Sequence, residues 1–187
     1  MQQRRSVLLF ILLFTCLQLT AQDNNAYNIV WTTQSKNASE SMPCGGGDIG
    51  MNVWVENGEL LIYFMRSGSF DEHNTLLKSG RIRVTLSPNP FEGKIFKQEL
   101  HLQEGYVSVE GEHNGVRATI NIWAEVIEPV MHIDINSNKK IHAVAAYENW
   151  RYKDRILKTR ENWGNSWKWG APKDNVMKKD HIQYSDN

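Results

Sequence analysis

Asn57-Gly58 sits between two runs of alternating apolar and polar residues, and that constrains this chain more than any other feature. Before it, Ile49 to Glu56 puts Met51, Val53 and Val55 on one face and Asn52, Trp54 and Glu56 on the other. After it, Glu59 to Arg66 puts Leu60, Ile62 and Phe64 on one face. A period of two is the signature of a half-buried strand. Asn-Gly supplies the two positive φ angles of a type I′ turn, whose twist matches that of a hairpin. A hairpin over 49–66 is therefore expected.

Further runs follow at similar spacing. Arg81 to Leu86 aligns Ile82, Val84 and Leu86, and the turn cluster Ser87 to Gly93 ends it. Ile95 to Leu102 and Tyr106 to Glu110 flank Glu104-Gly105. Asn114-Gly115 opens Val116 to Ala124, and Val130 to Ile135 and Ile141 to Tyr147 complete the series. No amphipathic helix of ordinary length competes before residue 148. Many short strands with turns between them predict an all-β protein, an antiparallel β-sandwich.

The first residues follow different rules. Arg4 and Arg5 precede an apolar run from Val7 to Leu19, and Thr20-Ala21 follows it. A basic start, a short apolar core and a small residue before the cut make a secretory signal peptide, residues 1–21. The run falls short of the ~20 apolar residues a helical span needs, and no later segment is longer. Lipidation at Cys16 is a weaker alternative, because the apolar run continues past it. An exported protein, periplasmic or extracellular, is expected, with no membrane span once the signal is removed.

Loss of Arg4 and Arg5 takes the 21 basic residues to 19 against 21 acidic. No concentrated basic surface results, which argues against nucleic acid as a partner. Cys16 leaves too, so Cys44 has no disulfide partner and cannot assemble a structural zinc site. Stability must come from one apolar core, for which about 165 residues suffice.

Four segments are candidates for chemistry. Pro43 to Gly50 is glycine-rich, but a strand follows it where a phosphate loop needs Lys-Ser/Thr and a helix. It reads as a tight entry into a strand or as a backbone wall beside a sugar. Cys44 has no His placed to activate it and reads as a small, partly buried residue. The loop Asp71-Glu72-His73 offers acid/base groups, ligand contacts or loop-stabilising hydrogen bonds; adjacent carboxyls rarely span a glycosidic bond, which needs them about 5–10 Å apart.

After Tyr147 the composition shifts. Trp150, Trp163, Trp167 and Trp169, four of the seven tryptophans, lie among Arg, Asn and Gly, with Arg151 beside the first. Indole rings stack on the C–H faces of sugars while hydroxyls pair with polar neighbours, so carbohydrate contact is one reading. Packing against the sandwich or a neighbouring domain is the other. The scattered histidines have no ligand spacing, so neither a metal site nor a cofactor is expected. Asn37-Ala38-Ser39 is a formal glycosylation sequon.

Met42-Pro-Cys-Gly-Gly-Gly-Asp-Ile-Gly-Met51, with Trp54 to Leu61 after it, resembles the N-terminal β-sandwich of secreted glycoside hydrolases of the α-L-fucosidase type. Those proteins open with Pro-x-Gly-Asn-Gly-x-Leu-Gly, and here Pro43, Gly45, Gly47, Ile49 and Gly50 fit that spacing while Gly46 replaces Asn. Arg66 to Arg83 is similar to an uncharacterised subgroup from polysaccharide-degrading bacteria. The resemblance covers roughly residues 27–150. It implies a galactose-mutarotase-like supersandwich, incomplete in this chain, packed on a downstream α/α toroid that holds the catalytic carboxylates. No catalytic residue is therefore carried onto this sequence.

The chain divides into three segments: the signal peptide 1–21, a sandwich 22–150, and a Trp-rich segment 151–187 that continues it or leads to a downstream catalytic domain of the same polypeptide. The expected function is a non-catalytic support in a glycoside hydrolase acting on complex glycans, with carbohydrate contact at Trp150, Arg151, Trp163, Trp167, Trp169, Asp71, Glu72 and His73. The alternative is a free-standing secreted carbohydrate-binding or surface adhesion module. An aldose epimerase acting alone is disfavoured, because no His/Glu pairing is assignable.

Overall fold

A computed structural model describes residues 24–181 except Trp169, Ala171 and Lys173; the signal peptide expected at 1–21 lies outside the described residues. The protein is an all-β antiparallel sandwich. One sheet is ordered β1 (Ile29–Trp31), β6 (Ile95–His101), β7 (Tyr106–His113), β8 (Val116–Ala124) and β9 (Met131–Ser137). The other is ordered β10 (His142–Glu148), β5 (Gly80–Ser87), β4 (Glu59–Arg66), β3 (Ile49–Glu56) and β2 (Met42–Gly46). A two-stranded ladder, β11 (Arg155–Ile156) with β12 (Val176–Met177), stands apart.

The alternation seen in the sequence places the core. Met51, Val53, Val55, Leu60, Ile62, Val84 and Leu86 project from the second sheet and are buried. They meet Phe96, Leu100, Val107, Val109, Ala118, Ile120 and Ile122 from the first. Fully burying each Val, Leu or Ile contributes about 1.5–3 kcal/mol, so these stripes carry the fold. Phe91 plugs one end of the core and meets Phe96 edge-on, at 6.2 Å between ring centroids. Both Asn-Gly turns have the left-handed geometry expected of them, with Asn57 at φ 52° and Asn114 at φ 51°.

The glycine run has a structural explanation. Gly45 and Gly46 belong to edge strand β2, and Gly47-Asp48 turn the chain into β3. A Cβ on Gly46 would lie 2.6 Å from the Ala124 carbonyl oxygen, at the end of β8 in the opposite sheet. Backbone thus packs on backbone where the sheets converge, and no side chain fits. Cys44 is half-buried with its Sγ 3.4 Å from the Gly105 carbonyl, and burial pushes its thiol pKa up. A thiol held protonated is a poor nucleophile.

The outer face of the second sheet has its own cover. Trp54, on the polar side of β3, is fully buried. It packs edge-on against Tyr63 at 4.6 Å and donates from Nε1 to Glu56. Beside it, Arg81 and Arg83 both pair with Glu148, and Arg83 also pairs with Glu59. These side chains bring β4, β5 and β10 into one ionic cluster at the foot of the segment that follows. No helix among the described residues is long and apolar enough to cross a membrane.

Candidate functional site

After β10 the chain leaves the sheet and returns over the loop 67–79 as a strap, residues 149–181. The loop is preorganised by Asp71, whose carboxylate accepts the backbone N–H groups of His73 and Thr75, both at 2.8 Å. Such an Asx arrangement fixes a polar loop without regular structure. Asn74 adopts φ 59° and donates through its side-chain amide to Ser166 of the strap.

His73 and Glu72 join the loop to the strap. Trp167 donates from Nε1 to His73 Nδ1 at 3.2 Å, and His73 Nε2 lies 3.2 Å from the Val176 carbonyl. An acceptor at Nδ1 and a carbonyl facing Nε2 assign the neutral Nε2–H tautomer. Glu72 accepts the Lys178 N–H at 2.9 Å and faces Arg151 at 3.4 Å. Burial pushes the Glu72 carboxyl up, but the Lys178 amide, its own amide and Arg151 together hold it below the ordinary range. Arg151 also pairs through Nε with Asp180 at 2.8 Å and donates to the Lys178 carbonyl.

The strap closes on itself through polar groups. Arg155 forms two bonds to Glu161, at 2.8 and 2.5 Å, and Glu161 also accepts the Lys158 N–H. Arg155 lowers the Glu161 pKa and is raised in turn. Asn162, Asn165 and Asn175 are buried, and the Asn162 side-chain oxygen accepts from both of the others.

Between loop and strap lies a cavity of about 350 Å³ lined by Asp71, Thr75, Leu77, Lys78, Trp150, Arg151, Arg155, Leu157, Glu161 and Met177. This is at the small end of the range for small-molecule sites, about 300–1,000 Å³. Trp150 is 39% exposed and meets Tyr63 edge-on at 4.9 Å, with its ring forming one wall. The rim is ionic, and Leu77, Leu157 and Met177 supply apolar surface. An apolar pocket with a half-exposed indole and charged groups at the rim is suited to a polyhydroxylated, amphipathic ligand.

Of the residues singled out from the sequence, the fold brings Trp150, Arg151 and Asp71 to this cavity. Glu72 and His73 lie behind it, as clasps between loop and strap. Trp167 serves the His73 clasp, Trp163 is 65% exposed away from the cavity lining, and Trp169 lies outside the described residues. Thr75, Lys78, Arg155 and Glu161 escape sequence reasoning, because distant turns of chain bring them together. Arg155 and Glu161, joined by two hydrogen bonds, are only six residues apart, but that spacing matches no regular helix or strand period.

A family model described as a domain of unknown function (DUF5703) matches residues 30–187. The chain belongs to that family. No curated protein matches it. The DUF5703 match spans both sandwich and strap, so the cavity between them is formed wholly within the matched residues. Around that cavity, Glu72 and Glu161 are both held as anions by cationic or amide partners. A general acid for glycoside cleavage needs the opposite, a carboxyl raised toward neutrality. Among the described residues, no cluster of His, Cys, Asp and Glu is arranged to hold a metal ion.

Proposed function

We propose that this DUF5703 chain is the N-terminal, non-catalytic β-sandwich of a secreted glycoside hydrolase acting on complex glycans, and that it contacts carbohydrate at the cavity between loop 67–79 and the strap. The observation that carries the contact is the half-exposed Trp150 wall, braced by Tyr63 and facing an ionic rim. Bracing matters, because a ring already held in place loses little freedom when a sugar stacks on it. The anionic state of Glu72 and Glu161 supports binding rather than cleavage.

Support for a second domain comes from β10. Ala143, Val144, Ala145, Ala146 and Tyr147 are all exposed, although β10 is hydrogen-bonded into a five-stranded sheet. An edge strand whose central residues are uncharged and exposed is an aggregation hazard that proteins ordinarily cover. A downstream domain of the same polypeptide is the cover that fits the resemblance in the sequence.

Oligosaccharide binding by the protein tests the contact. Trp150→Ala is expected to weaken binding at least tenfold while the β-type circular dichroism persists. Unchanged affinity in a folded Trp150→Ala protein overturns the assignment.

A further inference from the structure

A second depression, of about 230 Å³, opens on the outer face of the second sheet beside the first cavity. Its floor runs from Pro43 and Gly50 to Asn52, Tyr63 and Met65. Gly50 lies in this floor without a side chain, on β3 beside its register partner Gly45 of β2. The floor is low because Gly50 has no side chain, and Pro43 and Met65 give it an apolar character.

Lys78 lines both depressions. Its ammonium sits over the Tyr63 ring, 4.8 Å from the centroid, and Tyr63 in turn braces Trp150. Arg151 and Arg155, the other cations at the first cavity, are neutralised by Glu72, Asp180 and Glu161. Among the described residues no carboxylate pairs with Lys78. Lys78, unpaired with any carboxylate among the described residues, therefore stands where the two depressions meet, on an aromatic support.

Resting on the carbohydrate reading above, we infer that the two depressions are adjoining subsites for one acidic oligosaccharide. One sugar ring lies against Trp150, the next lies over the floor at Pro43 and Gly50, and Lys78 pairs with an anionic substituent between them. A uronate carboxylate and a sulfate ester present the same chemistry to an ammonium.

The test compares the affinity of the full chain for galacturonate tetrasaccharide, for a sulfated neutral tetrasaccharide and for its unsulfated parent. At low salt, one or both acidic ligands are expected to bind about fivefold more tightly than the parent, an advantage that shrinks at 0.5 M salt. Preference for one acidic ligand identifies the substituent. Lys78→Gln is expected to abolish the advantage, so that the variant binds the acidic ligands and the unsulfated parent with equal affinity. Gly50→Val checks the second subsite. A Cβ at Gly50 meets the Met65 side chain alone, Cγ at 3.5 Å and Sδ at 3.9 Å, both ordinary contacts, so the variant keeps its fold and fills the floor. It is expected to weaken tetrasaccharide binding severalfold and leave disaccharide binding unchanged. Binding of all three ligands with equal affinity, or an acid preference that survives in Lys78→Gln, overturns this inference alone. An absence of binding by any of them overturns the carbohydrate reading with it.

Discussion

The sandwich and the strap are held together by different forces. Between the sheets, buried side chains are almost all aliphatic, and Gln98, which reaches the Val53 carbonyl at 3.1 Å, is a polar exception. Among the described residues of the strap the buried ones are the amides Asn162, Asn165 and Asn175 with Met177 beside them, and its contacts with the loop run through Glu72, His73 and Arg151. Apolar burial is non-directional and scales with area, whereas hydrogen-bonded networks contribute little net but are costly to leave half-made. The sandwich is thus built for bulk stability. The strap is built for one geometry, which is what a binding wall requires.

This contrast predicts a hierarchy of damage. Ile120→Ala removes a fully buried side chain from the middle of β8. Its expected cost is about 2–5 kcal/mol, by transfer and cavity terms together. Unfolding in denaturant should then move for sandwich and strap alike, because the strap rests on the sheet. Retention of strap protection in an unfolded sandwich breaks the comparison.

Asn162→Ala should act more locally. It removes one acceptor from the side-chain amides of Asn165 and Asn175, at 3.3 and 3.0 Å, and leaves both buried. Each unsatisfied group costs about 1–3 kcal/mol. Limited proteolysis should cut between 157 and 176 faster than in the parent, while the denaturation midpoint of the sheets stays within experimental error. A shifted midpoint with no new cleavage means that the strap is part of the main cooperative unit.

How far the sequence disclosed this architecture depends on which force shaped each part. Where burial has period two, the reading was close: β3 and β4 begin and end where the alternation and the Asn57-Gly58 turn place them. β2 was missed because Pro43, Gly45 and Gly46 lack strand propensity, and its pairing with β3 overrides that local signal. Trp54 looked solvent-facing by alternation, yet contacts with Tyr63 and Glu56 cover it. The strap was legible only as composition. Its two-residue ladder pairs residues about 20 positions apart, and its clasp at His73 and the joining of Lys78 and Trp150 at one cavity link residues about 70–100 positions apart, separations for which a sequence carries no period.

Acidification makes the smallest and most selective perturbation. Glu161 is lowered chiefly by its bond to Arg155, and Asp154, which is exposed, chiefly by the Lys179 amide. Glu72 is lowered despite burial, by the Lys178 amide and Arg151. A carboxyl with a depressed folded pKa adds stability that is fully present above its unfolded value, about 4, and is lost as pH falls through the lower folded value. All three hold the strap, whereas the aliphatic core has no titrating group to lose. Backbone N–H groups of Leu157 and Lys178, bonded at 2.8 and 2.9 Å, should therefore lose hydrogen-exchange protection between pH 5 and 3, after correction for intrinsic rates. Those of Ile120 and Ile122 in β8 should keep theirs over the same interval. Glu148 and Glu99 are lowered as well, so a modest general weakening of the sheets accompanies the change. Parallel loss in strap and core places both under one transition; loss confined to the strap makes it a separately releasable wall of the cavity.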